Sequence, residues 1–400
     1  MKQKKLVIQL VLISALLFIS VFPGLAAAET LKIGALGNLG WTLGVDFKKF
    51  LDVAVPEYNK KGGLMIDGKK YDVEVIFYDS KNNPETGRAA VERLVHQDKV
   101  KFIVGDETVD AWLPVTEPNK VVSVVMTPSP AIHKPDFKYV FGSTFLNTRP
   151  PAIWGWFSQT HPNVKTWSGV FWDDMLGHIL AKQCQALGNS FGQKALDVIF
   201  APNNTIDFSA ITTKINASKP DMFVTLGMGE IPAANIMKGL NEVGWKGQYF
   251  FYVGIQTAIL STIIPLSMIE GMITSEDGIR LESPPPLAKE LREKYIAKYG
   301  KWDDPSTLFI NTWYCLISGL QQAKSLDPDK VAAVIGGGMK YETTEGSSRM
   351  VSRQDMGNSR TTDAVFPSNA TQLVKGKMKL IKHLSVEDSL ESSKKFYHWK

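Results

Sequence analysis

Two cysteines in four hundred residues, Cys184 and Cys315, leave this chain without a disulfide framework. Each lies in an apolar helical context (ILAKQCQALG and WYCLISGL), which reads as a buried thiol. Its six histidines are scattered, and none pairs at the i, i+4 spacing of a helical zinc site. Blocks of like charge are missing too, and so are short repeats and low-complexity tracts. The chain carries a net +5, and its first 28 residues hold three lysines and no acid, so the remainder falls to +2. A nearly neutral chain without basic blocks makes nucleic acid and anionic membrane poor partners.

Only one long apolar run is present, at the start. Lys2, Lys4 and Lys5 precede an apolar and small-residue run from Leu6 to Val21, then Pro23-Gly24 and Ala26-Ala27-Ala28. This is the order of a secretory signal peptide with a small-residue cleavage site; a membrane anchor is the alternative, for which the run is short. Cleavage near Ala28 predicts a mature, exported chain from Glu29.

After residue 30, strand-like and helix-like runs alternate. LKIGAL precedes a helix over 45–60, followed by the strand YDVEVIFYDS, a helix over 84–97, the strand KFIVGD, a helix over 110–119 and the strand VVSVVM. Such βαβα order predicts a parallel sheet with helices on both faces. Arg149-Pro150-Pro151 reads as punctuation, after which WSGVFWDD opens a second alternating set that runs to QYFFYVG. Helices over 286–299, 307–324 and 329–335 follow, and the rest reads as polar and loop-rich. The fold class expected is α/β, with two doubly wound Rossmann-like lobes and a chain that crosses between them more than once.

Motifs for catalysis or cofactors fail on context. GALGNLGWTLG places Gly34, Gly37 and Gly40 three apart, not in the G-x-G-x-x-G spacing, and the next strand ends at Asp79, far beyond the ribose-binding acid of a dinucleotide site. Gly188-Asn189-Ser190-Phe191-Gly192 fits G-x-S-x-G, but a helix precedes it and a strand follows, the reverse of a nucleophile elbow. It reads as a helix end and turn. Asp173-Asp174 and Asp303-Asp304 are adjacent acids that point different ways, the second pair reading as turn chemistry before Pro305. No cofactor, metal or catalytic group is called for.

Tryptophans are plentiful, with ten in the chain. Trp41, Trp112 and Trp172 fall near the carboxyl ends of strands, where open α/β sheets bind ligands. For Trp41 and Trp172 ligand contact and core packing stay equally open, whereas Trp154, Trp156, Trp245 and Trp313 read as core.

The ordered set LKIGALGNLG, a helix ending NKKGG, YDVEVIFYDSKNNPETGRAAVERLV, KFIVGDETVDAWLPV, VVMTPSPA, DMFVTLGMGEIPAANIMKGLNEVG and EKYIAKYG resembles the type 1 periplasmic solute-binding proteins, the leucine/isoleucine/valine-binding proteins that serve ABC importers. The resemblance spans nearly all the mature chain. It implies two lobes joined by three crossovers: lobe 1 over 29–149 completed by 276–365, lobe 2 over 150–275 completed by 366–400. A ligand cleft lies between them. It further implies a monomer in the periplasm that hands an amino acid or related, even aromatic, carboxylate to an inner-membrane permease. A ligand-sensing receptor domain is the alternative, and a secreted hydrolase using Ser190 the remote one.

Carried over by position, the contacts would be Trp41 and Thr42 in the glycine loop, Thr108 and Val109 after KFIVGD, and Ser129, Pro130 and Ala131 in the TPSPA loop. Lobe 2 would supply Trp172 and Leu176, Met228 and Glu230, and Ile255 and Gln256. Amino-acid-binding members commonly have serine where Val109 stands, tyrosine where Leu176 stands and an acid near Ile255. A buried ammonium without a carboxylate is costly. Either Glu230 or Glu107 replaces that acid, or the ligand lacks an amine. Arg149 reads as a surface arginine beside Pro150, with pairing to the ligand's acid as the alternative.

Overall fold

The computed structural model describes residues 29–105, 108–127 and 129–398, so the leader and Glu107 lie outside the described residues. The first sheet is built from β1 (Glu29–Gly37), β2 (Leu64–Ile66), β3 (Lys69–Asp79), β4 (Phe102–Gly105), β5 (Val122–Val125) and β6 (Val140–Gly142), in the order β2-β3-β1-β4-β5-β6. All its pairs are parallel except the β2/β3 hairpin. Helices α1 (Thr42–Lys60), α2 (Pro84–His96) and α3 (Val109–Thr116) connect the strands. Local chemistry starts α2: Asn83 caps the Thr86 N–H at 2.9 Å and Pro84 takes the first helical position.

The Arg149-Pro150-Pro151 stretch is no mere punctuation. It opens α4 (Arg149–Thr160), because prolines in a first helical turn lose no intrahelical hydrogen bond. The chain then builds β7 (Thr166–Trp172), α5 (Met175–Ser190), β8 (Lys194–Ala201), α6 (Ser209–Ser218), β9 (Met222–Thr225), α7 (Glu230–Glu242), β10 (Gln248–Phe251), α8 (Thr257–Leu260) and β11 (Ile273–Ser275). It returns through α9 (Pro286–Tyr299), α10 (Ile310–Ala323) and α11 (Pro328–Ile335).

The segment read as loop-rich after residue 336 is instead ordered secondary structure. Strands β12 (Lys340–Thr343), β13 (Gly346–Ser352) and β14 (Thr361–Val365) form a separate antiparallel sheet. Then β15 (Ser368–Val374) and β16 (Lys377–Leu384) add antiparallel strands to the second large sheet, ordered β16-β15-β11-β10-β9-β7-β8. Helix α12 (Val386–Tyr397) closes the chain behind a capping box of Ser385 and Asp388. Alternation was illegible here because the strands bury Thr343, Ser348, Thr362 and Asp363 in place of apolar groups, while β16 exposes nearly every side chain.

Two lobes result. The first core joins strands β1, β3, β4 and β5 to α1, α9 and α10, with Tyr341, Met350 and Ala364 of the small sheet packed on it. Separate cores sandwich the second large sheet, one with α7 and one with α4 and α5. The chain passes between the lobes three times, after β6, after β11 and between β14 and β15. Strand order reverses beside β1 in one sheet and beside β7 in the other, the switch points at which α/β sheets bind ligands.

Candidate functional site

The glycine loop leaves β1 and folds back onto α1. Trp41 N–H donates to the Asn38 carbonyl at 3.2 Å, and Leu39 N–H donates to Asp79 Oδ1 at 3.0 Å. A Cβ on Gly44 would stand 2.0 Å from the Asn38 carbonyl oxygen. The glycine is therefore required by a tight turn, independently of any phosphate. Asp79 ties this turn together and accepts the Lys81 N–H as well.

That turn keeps Trp41 40% exposed, where a large aromatic residue is normally covered. Its face borders a cavity of about 350 Å³ lined by residues 39–42, Val45, Asp46 and Lys49, by Asp303, Asp304 and Pro305, and by Gln256 from the other lobe. Thus Trp41, Thr42 and Gln256, far apart in sequence, meet at one opening between the lobes.

The polar lining is organised. Burial raises the Asp46 carboxyl above its ordinary range, and the Ser306 N–H donates to it at 2.9 Å. Lys49 Nζ reaches Asp303 and the Tyr295 hydroxyl, each at 3.1 Å. Burial opposes the Lys49 charge, but these two partners raise its pKa; Asp303 is held low by Tyr295 and Lys49 in spite of its own partial burial. Asp304 Oδ1 lies 2.8 Å from Arg280 Nε. Sequence reasoning missed Asp46 and Lys49, whose i, i+3 spacing on α1 was the available signal, and took Asp303-Asp304 for a turn only.

The other predicted residues divide. Thr108 is buried with its hydroxyl against Gly87 of α2, and Val109 is fully buried beside Trp112 and Leu113. Ser129 donates to Asp110 at 2.9 Å and accepts the Ala131 N–H at 3.2 Å, starting a short 3-10 turn from Pro130. Trp172 is half-buried, 6.4 Å from the Phe208 ring, while Leu176 is exposed. Met228 and Ile255 are buried in the lobe 2 core. Glu230 Oε1 accepts the Gln256 N–H at 3.4 Å. The side chain of Val109 is thus fully buried, and Met228 and Ile255 are only 5% and 7% exposed.

Arg149 overturns its sequence reading. It is no surface arginine: it is fully buried, 2.7 Å from Asp277 and 2.8 Å from Glu345, with its guanidinium 3.5 Å over the Phe145 ring. Those carboxylates occupy it, so it does not wait for a ligand's acid. Trp112 is likewise buried, as are Trp154, Trp245 and Trp313. Burial pushes both the Cys184 and Cys315 thiols up to about 12. Gly188, Asn189 and Ser190 form the last turn of α5, and Gly192 at φ 80° completes the turn into β8. Among the described residues no group of three or more His, Cys, Asp or Glu side chains is placed to hold a metal, and no helix is long and apolar enough to cross a membrane.

Two doubly wound lobes hinged by three crossovers, with a cavity at their shared opening, define a bilobal binding protein. The chain belongs to the periplasmic binding protein family, whose model matches residues 30–365. Its fold is similar to a leucine-binding protein, LivK, of Thermotoga maritima, at 19% identity and TM-score 0.70, over 90% of this chain and 100% of that one. It is similar also to an ABC-transporter solute-binding protein of Rhodopseudomonas palustris in complex with 3,4-dihydroxybenzoic acid (20%, TM-score 0.68, 89% and 98%). A branched-chain amino acid ABC transporter periplasmic ligand-binding protein of Burkholderia xenovorans compares at 16%, TM-score 0.73, 90% and 96%.

Proposed function

We propose that this chain is exported, loses its leader near Ala28, and acts without catalysis as the solute receptor of an ABC importer. It captures a small carboxylate between its lobes and delivers it to a permease in the inner membrane. The observation that carries this reading is the cavity that joins the exposed indole of Trp41 to Gln256 of the opposite lobe. Helices α1, α3, α5 and α7 begin at the carboxyl ends of β1, β4, β7 and β9, and their N–H groups favour an anion there. An exposed indole adds a stacking face for an aromatic or aliphatic group.

In this reading lobe 1 comprises 29–149 and 276–365, lobe 2 comprises 150–275 and 366–400, and the sheet memberships support that division. Trp41, Thr42 and Gln256 contact the solute directly, and Ser129, Pro130, Ala131, Trp172, Leu176 and Glu230 do so as the lobes close. Thr108, Val109, Met228 and Ile255 contribute backbone. Structural relatives include proteins whose ligands are leucine, benzoate and 4-hydroxybenzoate. With no acid at Ile255, an amine-bearing ligand relies on Glu230 or Glu107.

The test is native mass spectrometry of the mature protein for a co-purified solute, then a thermal-shift panel of leucine, benzoate and 4-hydroxybenzoate. A ligand bound to the folded state raises Tm by mass action. Stabilisation by leucine means that Glu230 or Glu107 replaces the missing acid; stabilisation by the benzoates alone means an amine-free acid. No shift with any of these or with related carboxylates would refute the reading.

A further inference from the structure

Five ionisable side chains meet where the chain passes between the lobes, and one of them, Glu345, also lines an open cavity with Lys340, Arg349, His383 and Glu387. Arg149 opens α4, Glu276 and Asp277 follow β11, Arg280 ends a short 3-10 turn, and Glu345 lies in the β12–β13 turn. Arg149, Glu276, Asp277 and Glu345 are buried and the Arg280 side chain is only 9% exposed.

The contacts form a chain. Glu345 Oε2 accepts from Arg149 Nη2 at 2.8 Å and from the Gly278 N–H at 2.9 Å; its Oε1 faces the Thr307 and Thr344 hydroxyls. Asp277 Oδ1 accepts from Arg149 Nη1 at 2.7 Å, and Oδ2 from the Thr307 hydroxyl at 3.3 Å. Glu276 Oε1 takes Arg280 Nη1 at 3.3 Å and the Asp277 N–H at 3.2 Å. Asp304, at the rim of the cleft cavity, lies 2.8 Å from Arg280 Nε, and its backbone carbonyl accepts from Arg280 Nη2 at 3.0 Å.

Two guanidiniums therefore face three buried carboxyls, with the partly exposed Asp304 adding a fourth acid. A carboxylate without a full counter-charge in a dry site neutralises itself by keeping a proton. Burial pushes Glu345 up to about 7, with Asp277 and Glu276 adding to it against Arg149, and pushes Glu276 to about 7 against Arg280. Burial alone would raise Asp277 as well, but Arg149 and Arg280 hold it low. Asp277 is thus the ionised member, and the proton belongs to the glutamates.

The cluster sits on the lobe 1 side of the crossovers, where Arg149 is the residue that opens the first lobe 2 helix. Arg149 begins a helix packed into a lobe 2 core, and Glu345 belongs to the sheet packed on lobe 1. On the lobe 2 side, a Cβ on Gly254 would stand 3.5 Å from Arg280 Nη1 and 3.7 Å from Glu276 Oε1, next to Ile255 and Gln256. Rotation of the lobes acts on this cluster through Arg149 at the head of the lobe 2 helix and through the close approach of Gly254.

The geometry points to a proton-operated hinge: in the lobe orientation described here one of the two buried glutamates, Glu276 or Glu345, carries a proton, and losing it shifts the crossovers toward a second orientation in which water reaches the cluster. This inference does not depend on which solute fills the cleft. If the two orientations differ by one unit in the glutamate's pKa, titration moves their ratio about tenfold.

The experiment uses the mature chain without added solute, nitroxide-labelled at Lys69→Cys and Lys238→Cys, exposed positions on the two lobes. Both native thiols are buried and escape labelling. Interlobe distances are read by pulsed electron resonance from about pH 5.5 to about pH 8.5, the range that brackets the raised glutamate values. The expected result is a shift in the distance distribution, lost in Glu345→Gln or in Glu276→Gln, which stays at the low-pH distribution. An unchanged wild-type distribution overturns the proposal, as does a shift that survives in both variants. Carboxyl NMR of the unsubstituted protein, labelled with ¹³C-glutamate, decides without variants: a glutamate titrating with the shift supports it, and none titrating in that range refutes it.

Discussion

Arg149 and Glu345 meet at 2.8 Å with both side chains fully buried, one at the head of a lobe 2 helix and the other in the small sheet that packs on lobe 1. A dry ion pair of this kind contributes little net stability compared with well-packed apolar groups, yet removing one partner strands the other. Arg149→Met leaves Asp277 and Glu345 without their shared cation. The expected loss is about 3–5 kcal/mol in urea unfolding.

Trp41→Ala removes the exposed aromatic wall of the cleft cavity while leaving the core intact. Aromatic stacking is worth about 0.5–1.5 kcal/mol, so affinity for the stabilising acid falls up to about tenfold by calorimetry. Ser190→Ala, at the end of α5, leaves both affinity and Tm unchanged. Loss of a hydrolytic activity on that substitution would reverse the binding-protein reading.

Gly44→Ala drives a methyl group into the Asn38 carbonyl, only 2.0 Å from its ideal position. Backbone cannot swing aside as a side chain does, so the turn that presents Trp41 must open. The variant loses about 1–3 kcal/mol of stability. Solute binding weakens with it, more than in a Gly40→Ala control, where the nearest atom is the Asn38 side-chain oxygen at 3.2 Å.

His133 sets an acid-side limit on stability. Its ring is fully buried, with Nδ1 3.0 Å from the Thr362 hydroxyl. Burial lowers its pKa, and the Asp363 carboxylate, 3.6 Å from Nε2, only partly offsets this. The unfolded chain, with a histidine near about 6.5, then binds the proton more readily, so stability present above that value is lost as pH falls below it. Glu345 acts with the opposite sign: its raised pKa favours the folded state below about 4.3 and that contribution is lost as pH rises through about 7. These two windows overlap with opposite slopes, so the effects are read by difference: in urea unfolding at stepped pH, His133→Gln reduces the loss on the acid side and Glu345→Gln reduces the loss as pH rises toward about 7.

Legibility followed periodicity. The βαβα order up to β10 was readable because central parallel strands such as β4 and β5 are buried along their whole length and separated by amphipathic helices. The final strands were not, since they trade apolar for polar side chains at buried positions. Of the cleft, Trp41 was readable as an aromatic residue in a loop where the sheet binds ligands. Asp46 and Lys49 were hidden because their partners, Ser306 and Asp303, are more than 250 residues away.

The amino-acid sequence alone determined the doubly wound α/β pattern, the family resemblance, the buried thiols and the unsuitability of the glycine loop and the Ser190 motif for the chemistry their letters suggest. All of these rest on local order: what precedes and follows a residue. Only the tertiary structure decided where Arg149 goes, which carboxyls share its charge, and which side chains of two distant loops meet at one opening. Those outcomes depend on dry contacts between segments brought together by three crossovers, and local spacing carries no record of them.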